Sequence, residues 1–173
     1  MIDITLPDGS LRNVELNSTS MDIALSISEG LARNVLAAVV NGEVVDANRP
    51  ITENASLQLL TWRDDAGKST MWHSSAHLMA EAIQFYYPNA KFAIGPPIGK
   101  GFYYDIDFLE ESFSENDLAK IESKMKELAK QKNIFERKEI SKSEALDYFS
   151  NKQDPYKLEL LEGLEEHHFK IIF

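Results

Sequence analysis

The stretch Val35–Ala47, "VLAAVVNGEVVDA", decides how the first third of the chain is read. Two apolar, β-branched runs flank Asn41-Gly42, the dipeptide that best tolerates the two positive φ angles of a tight hairpin turn. Working outward, "IDITL" (2–6) and "LRNVEL" (11–16) alternate apolar and polar residues around the turn residues "PDGS", which predicts a second hairpin. Between the hairpins, "STSMDIALSISEGL" (18–31) offers Ser18, Thr19 and Ser20 as helix N-caps. Met21, Ala24, Leu25 and Ile27 then form one apolar face, and Gly30 is placed to end that helix. "ASLQLL" (55–60) supplies a last strand. The order ββαβββ within about 60 residues predicts a β-grasp, ubiquitin-like unit with one helix on a mixed sheet.

Composition narrows the function classes. Of 173 residues, 43% are hydrophobic and 27% charged, enough for a real core in a globular chain. No apolar run approaches the roughly 20 residues needed to cross a bilayer, and the N-terminus lacks the pattern of a signal peptide. There is no cysteine, which removes thiolate chemistry and fits a cytoplasmic setting. The net charge of −10 argues against a broadly basic nucleic-acid scaffold, although local charge governs contact with an RNA end.

"TWRDDAGKST" (61–70) is polar, contains Gly67 and shows no periodicity. It is read as the end of a domain at 1–62, followed by a linker at 63–69 and a second domain at 70–173. That domain opens with a helix from near Thr70 to Tyr87, stopped by Pro88, carrying "MWHSSAHLMAE" (71–81). On a helical wheel Trp72, Ala76, Met79, Ile83 and Tyr86 share the core face. His73, His77 and Gln84 form a neighbouring polar stripe, beside Glu81. Histidines four apart lie one turn apart, so both imidazoles can address one metal ion, water or substrate carbonyl. They can also be ordinary polar decoration, and spacing alone leaves both readings open. The zinc-protease pattern needs a glutamate after the first histidine, where Ser74 stands. A metal would draw further ligands from His167, His168 or a carboxylate.

Beyond the helix, "KFAIGPPIGKGFYYDIDF" (91–108) reads as two strands around a rigid glycine–proline loop. It is not a phosphate loop: the glycine spacing is one residue short and no Ser or Thr follows Lys100. Phe102, Tyr103 and Tyr104 alternate faces on the returning strand, so one of them can line a cleft. Ser114 with Asp117, and Ser141 with Glu144, mark capping boxes for two more helices. "KIESKMKELAKQK" is read as a solvated helix face with i,i+4 charge pairs. "IFERKEI" (134–140) is a short strand, and the tail to Phe173 ends on a strand-like run that has no following partner. Lys157, in "DPYKLEL", reads by itself as a solvated lysine.

Taken together, "VNGEVVDA", "WHSSAHLMAEAIQFYYP", "FAIGPPIGKGFYYDID" and "YKLELLE" resemble the N-terminal region of bacterial threonyl-tRNA synthetases, from Ile2 to about Glu162. The resemblance implies an α+β chain: a β-grasp TGS domain, then an incomplete α+β editing domain. That domain hydrolyses serine wrongly esterified to threonine tRNA. By the same resemblance His73, His77 and Lys157 are catalytic, with the lysine positioning the hydrolytic water, and Tyr104 forms the wall of the substrate site. No metal is implied at this site. ATP, magnesium and zinc are implied only for an aminoacylation core, which this chain lacks. The implied partner is the acceptor end of tRNA(Thr), in a cytoplasmic, membrane-free enzyme that dimerises through other domains. The family's second motif, with an aspartate, a cysteine and a histidine, is absent, so the isolated chain is expected to be inactive. Two rival readings are a stand-alone β-grasp ligand- or RNA-binding module with a structural histidine helix, and a zinc-dependent deacylase.

Overall fold

The computed structural model describes residues 1–133, 137–164 and 169–172, with backbone alone for Arg137 and residues 169–172. His167 and His168, weighed above as metal ligands, lie outside the described residues. The chain forms two compact units, Met1–Ser74 and Ser75–Phe173.

In the first unit, β1 (Ile2–Thr5) and β2 (Leu11–Val14) form the predicted hairpin, with Ile2 opposite Val14 and Thr5 opposite Leu11. β3 (Val35–Val40) and β4 (Glu43–Val45) form the other. Its turn is set by Asn41 and Gly42, both left-handed at φ 51° and 86°. Asn41 also accepts the Ser56 N–H through its side chain at 2.9 Å, which ties the turn to the neighbouring strand. β5 (Ala55–Thr61) runs parallel to β1 and antiparallel to β3, giving the strand order β2-β1-β5-β3-β4. This is the β-grasp arrangement, with α1 (Ser20–Ile27) as the grasped helix.

Thr19 caps α1 in a reciprocal box with Asp22. Ile23, fully buried, joins Ile2, Ile4, Ala38, Ile51 and Leu57 in the core, while Ala24 packs with Ala32, Val35 and Ala47. One detail differs from expectation. α1 ends at Ile27, where Ser28 recaps a short α2 (Glu29–Ala32), so Gly30 lies inside a helix. The Ser28 side chain accepts the Leu31 N–H at 3.0 Å, and this local bond restarts the helix before Gly30 can end it.

The segment read as a linker is helical from Asp65 onward, within α3 (Asp65–Tyr86). The Asp64 carboxylate accepts the Thr61 N–H at 2.8 Å and the Thr61 hydroxyl at 3.1 Å. The Asp64 carbonyl accepts the Lys68 N–H, starting the helix. The polar composition that suggested a linker is therefore that of an acidic first helical turn. Gly67 is buried, because the helix starts against the end of β5: a Cβ there would sit 2.3 Å from the Thr61 carbonyl oxygen. The division between the units falls at Ser74, inside α3 and beyond the expected linker.

In the second unit, α3 ends at Tyr86, before Pro88. A β-ribbon follows in two tiers. β6 (Lys91–Phe92) pairs with β9 (Ile106–Asp107), and β7 (Pro97–Ile98) pairs with β8 (Gly101–Phe102) at the tip. Hydrogen bonds from Ala93 N–H to the Asp105 carbonyl and from Asp105 N–H to the Ile94 carbonyl, both 2.9 Å, extend the lower tier. α4 (Glu115–Gln131) begins at Ser114, whose N–H and hydroxyl both bind the Asp117 carboxylate. The core joins Ala82, Ile83 and Tyr87 of the α3 end, Ile121 and Leu128 of α4, and Phe92, Ile106 and Phe108 of the ribbon.

β10 (Arg137–Ile140) leads into α5 (Lys142–Asn151), and α6 (Pro155–Glu162) follows. β11 (Phe169–Ile172) pairs antiparallel with β10, Arg137 facing Ile172 and Ile140 facing Phe169. The terminal strand thus has one partner upstream in the chain, which its sequence did not disclose. The lysine-rich helix departs from a purely solvated face as well. Lys124 is buried, lying 3.7 Å from the Phe85 ring centroid and 2.9 Å from the Glu127 carboxylate. No helix among the described residues is long and apolar enough to cross a membrane.

Candidate functional site

The histidines sit one turn apart on α3, as their spacing requires. Ala76, Ala82 and Ile83 mark the buried line of the helix, with Met79 half-buried beside it. Tyr87, not the predicted Tyr86, completes that line: Tyr86 is exposed, and Lys120 lies 5.2 Å from its ring. His73 is exposed and His77 half-buried, while Glu81 and Gln84 are exposed. Each imidazole is engaged by neighbouring groups. Among the described residues, no three His, Cys, Asp or Glu side chains converge as a metal site would need.

Tyr104 and Lys157 each pack against the ribbon of the second unit, at Gly95 and Ala93 respectively. The Tyr104 ring lies over the backbone of Gly95, so closely that a Cβ at Gly95 would stand 2.9 Å from three ring carbons. Its other neighbour is Phe92, edge-on at 5.4 Å between centroids. Two residues before Gly95, the Ala93 carbonyl accepts a 2.6 Å hydrogen bond from the Lys157 ammonium. The half-buried lysine thus bridges 64 residues of sequence, where sequence alone gave it to solvent.

Lys157 stands in the first turn of α6, whose N-cap is Asp154 and whose first residue is Pro155. Asp154 accepts the Lys157 backbone N–H at 3.1 Å. Burial pushes the Lys157 ammonium below the ordinary lysine pKa, and the Asp154 carboxylate pulls the other way. Burial likewise raises the Tyr104 phenol, and the Asp154 charge adds to that rise. One carboxylate thus acts on both groups. An ammonium has three donors, and the Ala93 carbonyl takes one here. The remaining capacity suits a lysine that orients a water molecule or an oxyanion.

Sequence reasoning missed Asp154, Tyr156, Asp107 and Gly95. The Tyr156 hydroxyl donates a 2.5 Å hydrogen bond to Asp107 on β9. A signal for the helix was present: Asp-Pro directly before Tyr156 is an N-cap followed by proline at the first helical position. Nothing local marks Asp107 or Gly95, whose partners are distant in sequence.

A β-grasp unit followed by an α+β unit, with a half-buried helix lysine bonded to a ribbon carbonyl, is a class of arrangement that the sequence comparisons place more narrowly. The family model described as the TGS domain matches residues 2–61. Across that unit and the next, the chain is 65% identical over 166 residues to a threonine–tRNA ligase of Cytophaga hutchinsonii, covering 96% of this chain and 26% of that protein. A threonine–tRNA ligase of Parabacteroides distasonis is 51% identical over the same length and shares. One of Flavobacterium johnsoniae is 45% identical over 166 residues, with 96% of this chain and 25% of that protein covered. Over nearly all of its length the chain matches the N-terminal region of threonine–tRNA ligases, and its first unit carries their TGS domain. It spans about a quarter of the length of the relatives it matches.

Proposed function

We propose that this chain supplies, within a threonine–tRNA ligase, the TGS domain and part of an editing site that hydrolyses serine from mischarged tRNA(Thr). The observation that carries the reading is the Lys157 ammonium, half-buried at the Ala93 carbonyl on the ribbon that also bears Tyr104. A half-buried lysine that donates to a neutral carbonyl is poorly explained as a structural ion pair and well explained as a positioned donor.

In the proposed reaction, water attacks the ester carbonyl of the seryl group and the terminal ribose oxygen leaves. Serine and free tRNA are the products. A neutral imidazole is suited to accept the proton of that water. Exposed His73 and half-buried His77 are the candidates, since an RNA end must reach them. Lys157 would orient the water or the developing oxyanion, and Tyr104 would wall the pocket. Excluding threonine means rejecting one extra methyl group, which a rigid wall does by sterics better than an apolar pocket does by affinity. The chain has no cysteine and does not carry the family's second motif, so the isolated 173 residues are expected to be inactive.

The test is a graft of residues 1–173 in place of the matching N-terminal quarter of the Cytophaga hutchinsonii ligase. The graft should hydrolyse seryl-tRNA(Thr), and His73→Ala should abolish that activity while leaving threonylation nearly unchanged. Unchanged deacylation in the His73→Ala graft would overturn the reading.

A further inference from the structure

The neighbour of Lys157 on α6 has a long-range bond of its own. Tyr156 donates to Asp107 Oδ2 at 2.5 Å, across 49 residues. The second Asp107 oxygen accepts the Leu109 N–H at 2.8 Å, so the carboxylate is held from both sides. That second bond also fixes Leu109 in the left-handed region at φ 54°, a conformation uncommon for a branched residue without local support. Asp107 pairs with Lys91 across the ribbon, and the Lys91 ammonium donates to the Lys152 carbonyl at the end of α5, 3.1 Å away. One rung of the ribbon therefore holds the α5–α6 corner at two points, Lys152 and Tyr156.

Consecutive helical residues project about 100° apart. With Tyr156 pinned to β9, rotation of α6 about its axis is fixed, and with it the direction in which Lys157 leaves the helix. Lys157 needs that constraint, because a lysine stem has four rotatable carbons and its ammonium is a point charge without the fixed fork of an arginine. A single hydrogen bond to Ala93 defines the position of the ammonium only if the base of the stem is also defined.

We propose that Tyr156 and Asp107 form a positioning latch for Lys157, setting its ammonium against the Ala93 carbonyl so that its remaining donors face the reacting ester. The latch rests on the deacylase reading above. Tyr156 acts through Lys157 and does not touch the substrate.

Two measurements test it. In the 173-residue chain, with lysine labelled with 13C at Cε, the Lys157 resonance is titrated in wild type and in Tyr156→Phe. Loss of the latch should release the ammonium toward solvent, so its titration midpoint should rise toward that of an ordinary lysine. An unchanged Lys157 midpoint in Tyr156→Phe would overturn the latch.

In the grafted ligase, Tyr156→Phe should lower kcat for seryl-tRNA(Thr) hydrolysis by about tenfold to a hundredfold, the loss expected when a hydrogen bond to a charged group is removed. KM and threonylation should hold steady. In a Lys157→Ala background, Tyr156→Phe should bring no further loss, because the two residues act as one unit. A large effect of Lys157→Ala with none from Tyr156→Phe would sink the latch alone. No effect of Lys157→Ala on deacylation would remove the catalytic lysine and the latch with it.

Discussion

Gly67→Ala should destabilise the first unit, against the usual expectation for a glycine inside a helix. At an unencumbered helical position the change to alanine gains about 1 kcal/mol of helix propensity. Here the added Cβ would stand 2.3 Å from the Thr61 carbonyl oxygen, 3.1 Å from its carbon and 3.3 Å from its nitrogen. All three are backbone atoms, so no rotamer change relieves the clash. Thr61 is also held by strand pairing opposite Val35 and by two hydrogen bonds to Asp64. Forcing extra volume into a packed site costs roughly 1–3 kcal/mol, and disturbing the Asp64 bonds at the helix start adds about 1. The balance is a net loss of about 1–3 kcal/mol, or a fall in Tm of roughly 5–20 °C for a unit of this size. The chain has two tryptophans, Trp62 and Trp72, which meet edge-on at 6.0 Å in this unit. Intrinsic fluorescence during urea unfolding therefore reports on the junction selectively. A Gly67→Ala variant as stable as wild type would refute the docking of α3 on β5, and a stabilised one would do so more strongly.

Gly95→Ala should displace the Tyr104 ring, which a Cβ would approach at 2.9 Å. Because burial raises the phenol pKa, displacement should lower it toward the ordinary value near 10, read from the Tyr104 13Cζ resonance. An unmoved resonance would contradict the packing. Asp117 makes a pH-dependent contribution: its bonds to Lys120 and Ser114 hold its carboxyl well below the usual carboxylate range. The folded state thus binds fewer protons than the unfolded one, so this stabilisation is present above about pH 4 and is lost as the pH falls toward the folded pKa. Urea unfolding between pH 2 and 5 should show a shallower pH dependence for Asp117→Asn than for wild type, and identical slopes would count against the interaction.

What was legible in the sequence is what is decided within a few residues. Asn41-Gly42 specifies its turn through its own φ preferences, and Thr19 with Asp22 closes a capping box across three residues. The capping boxes at Ser114 and Ser141 are local in the same way. Misreadings arose where a residue answers to a distant partner. Gly67 has the composition of a linker and the role of a contact point, because the Thr61 carbonyl needs the space where a Cβ would be. The β10–β11 pair joins segments separated by about 30 residues, so no local pattern could disclose the partner of the terminal strand. The candidate site residues divide in the same way. His73 and His77 drew attention by spacing, whereas Tyr104 and Lys157 were singled out through family resemblance.

Two lysines of the second unit, buried Lys124 and half-buried Lys157, show why composition gave the wrong emphasis. Lys124 belongs to a helix crowded with lysines, the region where a basic surface would be sought. Yet its ammonium is matched by Glu127 at 2.9 Å and rests over the Phe85 ring, so its charge is absorbed within the fold. Lys157 stands alone in an acidic segment and reads as unremarkable. Its ammonium meets a neutral carbonyl, while the carboxylate that acts on it, Asp154, already accepts a backbone N–H at the helix start. A cation desolvated in this way keeps much of its field for whatever enters beside it. What distinguishes a candidate catalytic lysine is therefore what its charge is left to do, and that depends on the Ala93 carbonyl and Tyr156–Asp107 bond, both made across long stretches of chain.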